Sequence, residues 1–289
     1  MSIPAIEIGG SHVSAAVVHP SGAVGPIARA SIDGTADAAT LLGAVTAVAA
    51  RIDAPHARWG IALPGPFEYE TGIGRYQGVG KFEELDGVDV GAALRAGLRP
   101  RPVGVHFVND AIAFALGEWA SGPARGLRRV AALTLGTGIG SAFLDGGRPV
   151  TAGASVPPQG RADLLTHHGR PLEDLASTRA ILTAYRRRSG ESAPRVADVA
   201  RRADAGDALA GHVLVEAFRT LGETLAPHIR AFQAEVLVIG GGISAAWLLV
   251  EPPLRAGLGT RDLPIVRAED TEASALRGAS ISVLQKEIR

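Results

Sequence analysis

Cysteine is absent from the 289 residues. That excludes disulfides and any cysteine-ligated zinc centre, and it fits a reducing compartment. A net charge is also missing: 29 Lys and Arg stand against 29 Asp and Glu. A neutral chain without a basic block offers no footing for nucleic acid or an anionic membrane surface. The clusters Arg128-Arg129, Arg186 to Arg188 and Arg201-Arg202 are short and read as solvated helix faces. No apolar run reaches the roughly 18 residues needed to cross a bilayer. The opening MSIPAIEIGG lacks the basic and apolar regions of a secretion signal. The expectation is a soluble cytoplasmic protein. What is present is 46% hydrophobic residues, enough for a sizeable core, in a length that fits two domains.

Strand and helix patterns alternate along the chain. Ala5 to Ile8 and Val13 to Val18 read as strands around Gly9-Gly10. Thr40 to Arg51 has a helical period, and Trp59 to Leu63 is a strand stopped by Pro64-Gly65-Pro66. Val103 to Asp110 reads as a strand, followed by a helix closed by Gly122. The plan then recurs. Val130 to Leu135 and Ser141 to Leu144 flank the turn GTGIG, an irregular region covers Arg148 to Arg170, and helical patterns follow from Pro171. Glu235 to Gly242 is a buried strand with a glycine turn, and a last helix closes the chain. Such interleaving is an α/β pattern. The recurrence predicts two related domains, residues 1–110 and 111–271, with a helix over 272–289 packing back on the first. The glycine loops would then face a cleft between the domains, where ligands commonly bind.

Three turns could bring backbone N–H groups to a phosphate: Gly9-Gly10-Ser11, Gly136-Thr137-Gly138 and Gly240-Gly241-Gly242. Side chains obstruct such an approach, which favours glycine. None of the three is a P-loop, because no Gly-Lys-Ser/Thr follows. GTGIGS is no dinucleotide fingerprint either, since it leads into another strand. Any one turn alone reads as a tight hairpin. Three in this order, with Asn109-Asp110 between the first two, point to phosphate chemistry. Asp110 itself has two readings: cap of the helix that follows, or general base at the end of a buried strand.

The segments EIGGSHVSAAVV, ALPGPFEYETG, VNDAIAFALGEW, LTLGTGIGSAFLDGG and VIGGGIS together resemble the ROK family of sugar kinases and repressors, over nearly the whole chain. The resemblance implies two actin-like (ribonuclease H-like) ATPase domains that close over ATP, magnesium and a hydroxylated substrate. It implies Gly136, Thr137, Gly138 and Gly140 at the β- and γ-phosphates, and Gly240, Gly241 and Gly242 near the adenosine. Gly9, Gly10 and Ser11 would approach from the other domain. Asn109 would hold substrate hydroxyls, and Asp110 would be the base.

Glu7 stands where the family commonly has Asp, and would meet magnesium through water. The family's Glu-x-Gly-His segment and zinc-binding cysteines are missing from Ala152 to Ser177. Only PLEDLAS still resembles the segment with a sugar-binding Glu, which would make Glu173 that residue. No zinc is expected at His167 and His168. Arg75 and Lys81, in the polar glycine-rich stretch 68–85, read equally as solvated charges or as ligand contacts. The resemblance implies an ATP-dependent kinase acting on a hexose-like sugar, an amino sugar or a cyclitol, and a homodimer. The alternatives are a sugar-responsive regulator and a catalytically silent sensor. Regulators of the family carry a helix-turn-helix ahead of the first phosphate loop, whereas six residues precede Glu7 here.

Overall fold

The computed structural model describes residues 1–287, so the last two positions of the expected final helix lie outside the described residues. The chain divides into two units, Met1–Gly122 with the segment from Asp270 onward, and Pro123–Glu269.

In the first unit, β1 (Ile3–Ile8) is buried at all six positions. It pairs antiparallel with β2 (His12–Val18), which carries β3 (Ala28–Ser31) at the edge. α1 (Ala38–Ala49) follows, its first turn capped by Asp37, which accepts from Thr40 N at 2.8 Å. The chain then returns to the sheet. β4 (Arg58–Leu63) runs parallel to β1. A small hairpin, β5 (Phe67–Glu68) and β6 (Ile73–Gly74), and the Asp89-capped α2 (Val90–Gly97) lead into β7 (Gly104–Asn109), parallel to β4. The strand order is β3-β2-β1-β4-β7. Near-continuous apolar strands such as these need cover on both faces. On one face Ile6, Trp59, Ile61, Leu63 and Leu94 form a core with α1 and α2. On the other, Ala5, Ala62 and Val108 meet Leu276 and Ala279.

α3 (Asp110–Ser121) belongs to this first unit, although the sequence placed the division at Asp110. The reason is packing on the last helix, α9 (Thr271–Glu287). The two helices cross so tightly that a methyl on Gly278 would overlap the Ala113 carbonyl.

The second unit opens with the hairpin β8 (Arg129–Leu135) and β9 (Ile139–Asp145), with β10 (Arg148–Pro149) at the edge. After the short pair β11 (Thr166–His167) and β12 (Arg170–Pro171) come α4 (Glu173–Ala176), α5 (Thr178–Ser189), α6 (Val196–Asp204) and α7 (Ala208–Phe232). β13 (Val236–Gly240) joins β8 in parallel, α8 (Trp247–Leu258) crosses over, and β14 (Ile265–Arg267) completes the order β10-β9-β8-β13-β14. This repeats the first sheet's plan: a three-stranded meander, then two parallel strands.

Two local features differ from the sequence reading. The helical pattern over Pro171 to Arg188 is broken at Ser177, whose hydroxyl caps α5 by accepting from Ala180 N at 3.3 Å. α8 went unread because Pro252 and Pro253 sit inside it. Its buried face, Val250, Leu254 and Leu258, packs with the α7 residues Leu221 and Leu225, and tertiary burial outweighs helix propensity there.

Candidate active site

Parallel pairing decides what meets at the sheet edge of the first unit. Glu7 on β1 pairs with Ala62 on β4, and Leu63 pairs with Asn109 on β7. The Gly9-Gly10 turn, the Pro64-Gly65-Pro66 loop and Asn109-Asp110 therefore all follow the carboxyl ends of parallel strands. Open α/β sheets bind ligands at those ends.

Of the two readings of Asp110, the helix cap belongs to its neighbour. Asn109 Oδ1 accepts from Ala111 N at 3.0 Å and from Ile112 N at 3.2 Å. Asp110 is the first residue of α3, with Oδ1 2.9 Å from Ala111 N. Desolvation by the surrounding protein pushes its carboxyl above the usual carboxylate range. The Lys81 charge and the Ala111 N–H oppose that rise, while Glu7 adds to it.

Asn109 is held a third time: its Nδ2 donates to Tyr69 Oη at 3.1 Å. Tyr69 Oη also lies 3.3 Å from the Leu63 carbonyl. The loop that carries Tyr69 is polar, yet well fixed. Five of the chain's 13 aromatic residues gather there. Phe67 packs against Tyr69, Tyr76 and Phe107 with ring centres 5.4, 6.3 and 5.0 Å apart, and Tyr76 meets Phe82 at 5.5 Å. The buried Tyr76 hydroxyl donates to the Pro64 carbonyl at 2.8 Å. Pattern reading missed this cluster, because its members are scattered among glycines and charges.

Glu7 is 9% exposed, with Oε2 3.1 Å from His12 Nε2. The hydrogen bond to Glu7 raises the His12 pKa above its ordinary value, against the effect of burial. Glu272 on α9 lies 4.0 Å from the same nitrogen. Glu7, His12 and Glu272 thus offer three ligand atoms within 4.8 Å of one another. Glu272 Oε1 also accepts from Ser14 Oγ and lies 3.5 Å from Arg29 Nε, which ties this end of the group into an ion-pair network. His12 and Glu272 were not read from the sequence; 260 residues separate them. Ser11 is exposed, and its carbonyl accepts from Ile32 N at 3.0 Å.

The second unit gathers the other glycine turns. Gly240 on β13 and Gly140 on β9 both pair with Thr134 on β8, which brings the two turns to one edge. Gly241 has φ 87°, and a methyl there would overlap the Leu135 carbonyl at the base of the other turn. A left-handed backbone in that position requires glycine. A Cβ at Gly136 or Gly242 would enter open space, as a cradle for a ligand would leave it. Thr137 is exposed.

Glu173 is bound into this cradle: Oε1 accepts from Ile139 N at 2.9 Å, and a methyl on Gly138 would collide with it. Thr178 N donates to the Gly136 carbonyl at 3.1 Å. The break between α4 and α5 is thus what grips the turn. His167 is held against α7, with Nδ1 3.1 Å from Thr224 Oγ1 and Nε2 3.8 Å from Glu223 Oε2; the His168 ring stands edge-on to it at 4.2 Å.

A model of the ROK family matches residues 3–286. The chain belongs to the ROK family. It is 32% identical to a glucokinase of Thermotoga maritima over 68% of this chain and 67% of that protein. It is 26% identical to the DNA-binding transcriptional repressor Mlc of Escherichia coli over 71% of this chain, which spans 53% of the repressor. Its fold matches that of the ROK hexokinase from Thermus thermophilus with a TM-score of 0.80, at 24% identity and with both chains fully covered. The ROK architecture is that of two-domain, actin-like kinases, and it accounts for the two related sheets. Among the described residues of this ROK chain, no helix is long and apolar enough to cross a membrane.

Proposed function

We propose that this protein is an ATP-dependent phosphotransferase that places the γ-phosphoryl group of ATP on a hydroxyl of a hexose-like sugar or a carbocyclic analogue. The observation that carries this reading is Asp110: a carboxylate at the carboxyl end of a parallel strand, beside the capping Asn109, with Oδ1 accepting from Ala111 N and its proton affinity raised by desolvation. A general base works best when its pKa approaches the operating pH, and it contributes typically about 10²- to 10⁴-fold. As the acceptor oxygen attacks phosphorus, its proton passes to Asp110. The bond from the γ-phosphorus to the β-phosphate oxygen breaks, and ADP leaves.

Asn109 has two jobs in this reading. Its oxygen holds α3 in place, and its amide nitrogen, steadied by Tyr69, offers an N–H to a substrate hydroxyl. Glu173 spends Oε1 on Ile139 and offers Oε2 to the substrate. The turns of Gly136, Thr137, Gly138 and Gly140 and of Gly240, Gly241 and Gly242 supply amides to the nucleotide phosphates. At the first unit's own turn, Gly10 and Ser11 offer amides of the same kind to a phosphate, while the Gly9 N–H is held by the His12 carbonyl at 2.9 Å.

The residues fit a magnesium ion held through water. Glu7 presents a buried carboxylate whose Oε1 lies 3.2 Å from the position a Cβ would take on Gly9, beside the turn. Magnesium prefers such oxygen donors and retains waters. When bound it would neutralise phosphate oxygens; the residues named above orient the acceptor, take its proton and exclude water.

A repressor role is the weaker reading. Retention of the Asn109-Asp110 pair with a poised carboxylate favours turnover over mere sensing. The deciding experiment is a screen of hexoses, amino sugars and cyclitols for ADP release, with the phosphorylated product identified by mass. Stoichiometric ADP and phosphorylated acceptor are expected for at least one compound. Binding without product across the panel would leave the sensor as the better description.

A further inference from the structure

The stretch 68–85 carries two cations, and they have different fates. Arg75 is committed to Glu68, with Nη2 2.6 Å and Nε 2.9 Å from Oε1. Lys81 makes no hydrogen bond or ion pair among the described residues, yet it is half-buried rather than extended into solvent. Its position is set by its neighbour. Phe82 is 1% exposed, and its N–H donates to the Gly34 carbonyl at 2.6 Å. From there the Lys81 stem passes Gly34 and ends at the first glycine turn. A Cβ built on Gly10 would lie 3.8 Å from Lys81 Cδ and 3.9 Å from Nζ. An ammonium held beside a glycine turn, under the charge of Asp110 but in no hydrogen bond or ion pair among the described residues, keeps its N–H donors for an anionic oxygen, and a lysine is a compact point charge suited to phosphate.

We propose that Lys81 is a catalytic residue whose ammonium binds an oxygen of the phosphoryl group in transfer, beside the Gly9-Gly10 turn. This rests on the kinase reading above. In the step, the acceptor O–H loses its proton to Asp110 as the new O–P bond forms; the γ-phosphorus to bridging-oxygen bond breaks, and its electron pair leaves with ADP. Lys81 keeps its protons throughout and offsets the charge spread over the phosphoryl oxygens. It has a second effect. Among the described residues, the groups that act on Asp110 are Lys81, Glu7 on β1, the Tyr76 hydroxyl and the Ala111 N–H, and Lys81 is the cation of that set. The ammonium therefore also favours the ionised, proton-accepting form of the base.

The test compares wild type, Lys81→Met and Lys81→Arg on whichever acceptor the screen identifies. Thermal melts verify that each variant is folded. Lys81→Met is expected to lower kcat about 10²- to 10³-fold, with the acceptor KM changed by less than about threefold, as for loss of a charge-stabilising donor. Lys81→Arg should retain most of the rate. ¹³C NMR titration of the Asp110 carboxyl, assigned with Asp110→Asn, should show the base titrating at higher pH in Lys81→Met. A folded Lys81→Met with kcat within about threefold of wild type would overturn the proposal. A third arm needs no acceptor: calorimetry with inorganic tripolyphosphate, which should bind Lys81→Met at least about tenfold more weakly. If wild type turns over no acceptor but this difference holds, the kinase reading fails and the anion site stands. If tripolyphosphate binds both forms equally, Lys81 is not a phosphate ligand.

Discussion

The two units share a plan and differ in chemistry. Each has a five-stranded sheet with a meander on one side and two parallel strands on the other. Each also joins two helices at a glycine: Gly278 of α9 under Ala113 of α3, and Gly222 of α7 under Leu254 of α8. At the strand ends the likeness stops. The first unit places Glu7, His12, Lys81, Asp110 and Glu272 around its glycine turn. The second places glycines and Thr137, and turns the Glu173 carboxylate inward onto Ile139 N. A repeated fold therefore settles where a site lies, while the loop residues settle what it does.

The sharpest break of that asymmetry is Asp110→Asn. Turnover should fall by at least about 10²-fold, because the acceptor proton loses its destination. Stability should move the other way. The folded state holds the Asp110 carboxyl above its unfolded pKa. Its contribution is fully present below the unfolded pKa and is lost as pH rises through the folded one. At neutral pH the ionised carboxylate thus favours unfolding, and the neutral amide removes that penalty. Melts of Asp110→Asn should match or exceed wild type at neutral pH and lose the advantage in acid. A variant that melts lower at neutral pH and keeps its activity would make Asp110 a structural residue.

The shared helix-crossing device can be tested as a matched pair. Gly278→Ala and Gly222→Ala each force a methyl into a backbone carbonyl, and overpacking of this kind typically costs about 1–3 kcal/mol. Urea melts should show both losses. If only one variant is destabilised, the crossings are not equivalent and the repeat is confined to the sheets. A smaller effect is expected at the cradle. Gly138→Ala pushes against Glu173 Oε1 and should raise the KM for ATP and the acceptor KM together, each by about tenfold or less. A rise for ATP alone would mean that Glu173 braces the phosphate turn and does not hold the acceptor.

The strands, the glycine turns and Asn109-Asp110 were legible in the sequence because each is local: apolar runs, punctuating glycines and a polar pair at a strand end. Three kinds of feature were not. Glu7, His12 and Glu272 meet only because α9 returns to the first sheet, a contact across 265 residues from Glu7 that no spacing encodes. The division at Gly122 depends on α3 choosing α9 as its partner, which two ordinary helical patterns do not reveal. Arg75 and Lys81 looked alike as cations in a polar loop. Only the fold, by pairing Arg75 with Glu68 and turning Lys81 to Gly10, tells them apart.

The smallest expected effect tests how far the chemistry of the first unit depends on fixing its donors. Tyr69→Phe removes the hydroxyl that holds Asn109 Nδ2 and leaves the ring against Phe67. Loss of one such hydrogen bond is worth about 0.5–1.5 kcal/mol, or roughly two- to tenfold. The amide would still cap α3 through Oδ1, so the fold should be unchanged. Its N–H, no longer aimed, should hold the acceptor less well, raising the acceptor KM while the KM for ATP stays constant. A matching rise for ATP would mean that Tyr69 orders the loop as a whole. The acceptor donors would then be shaped by the aromatic cluster and not by a single hydrogen bond.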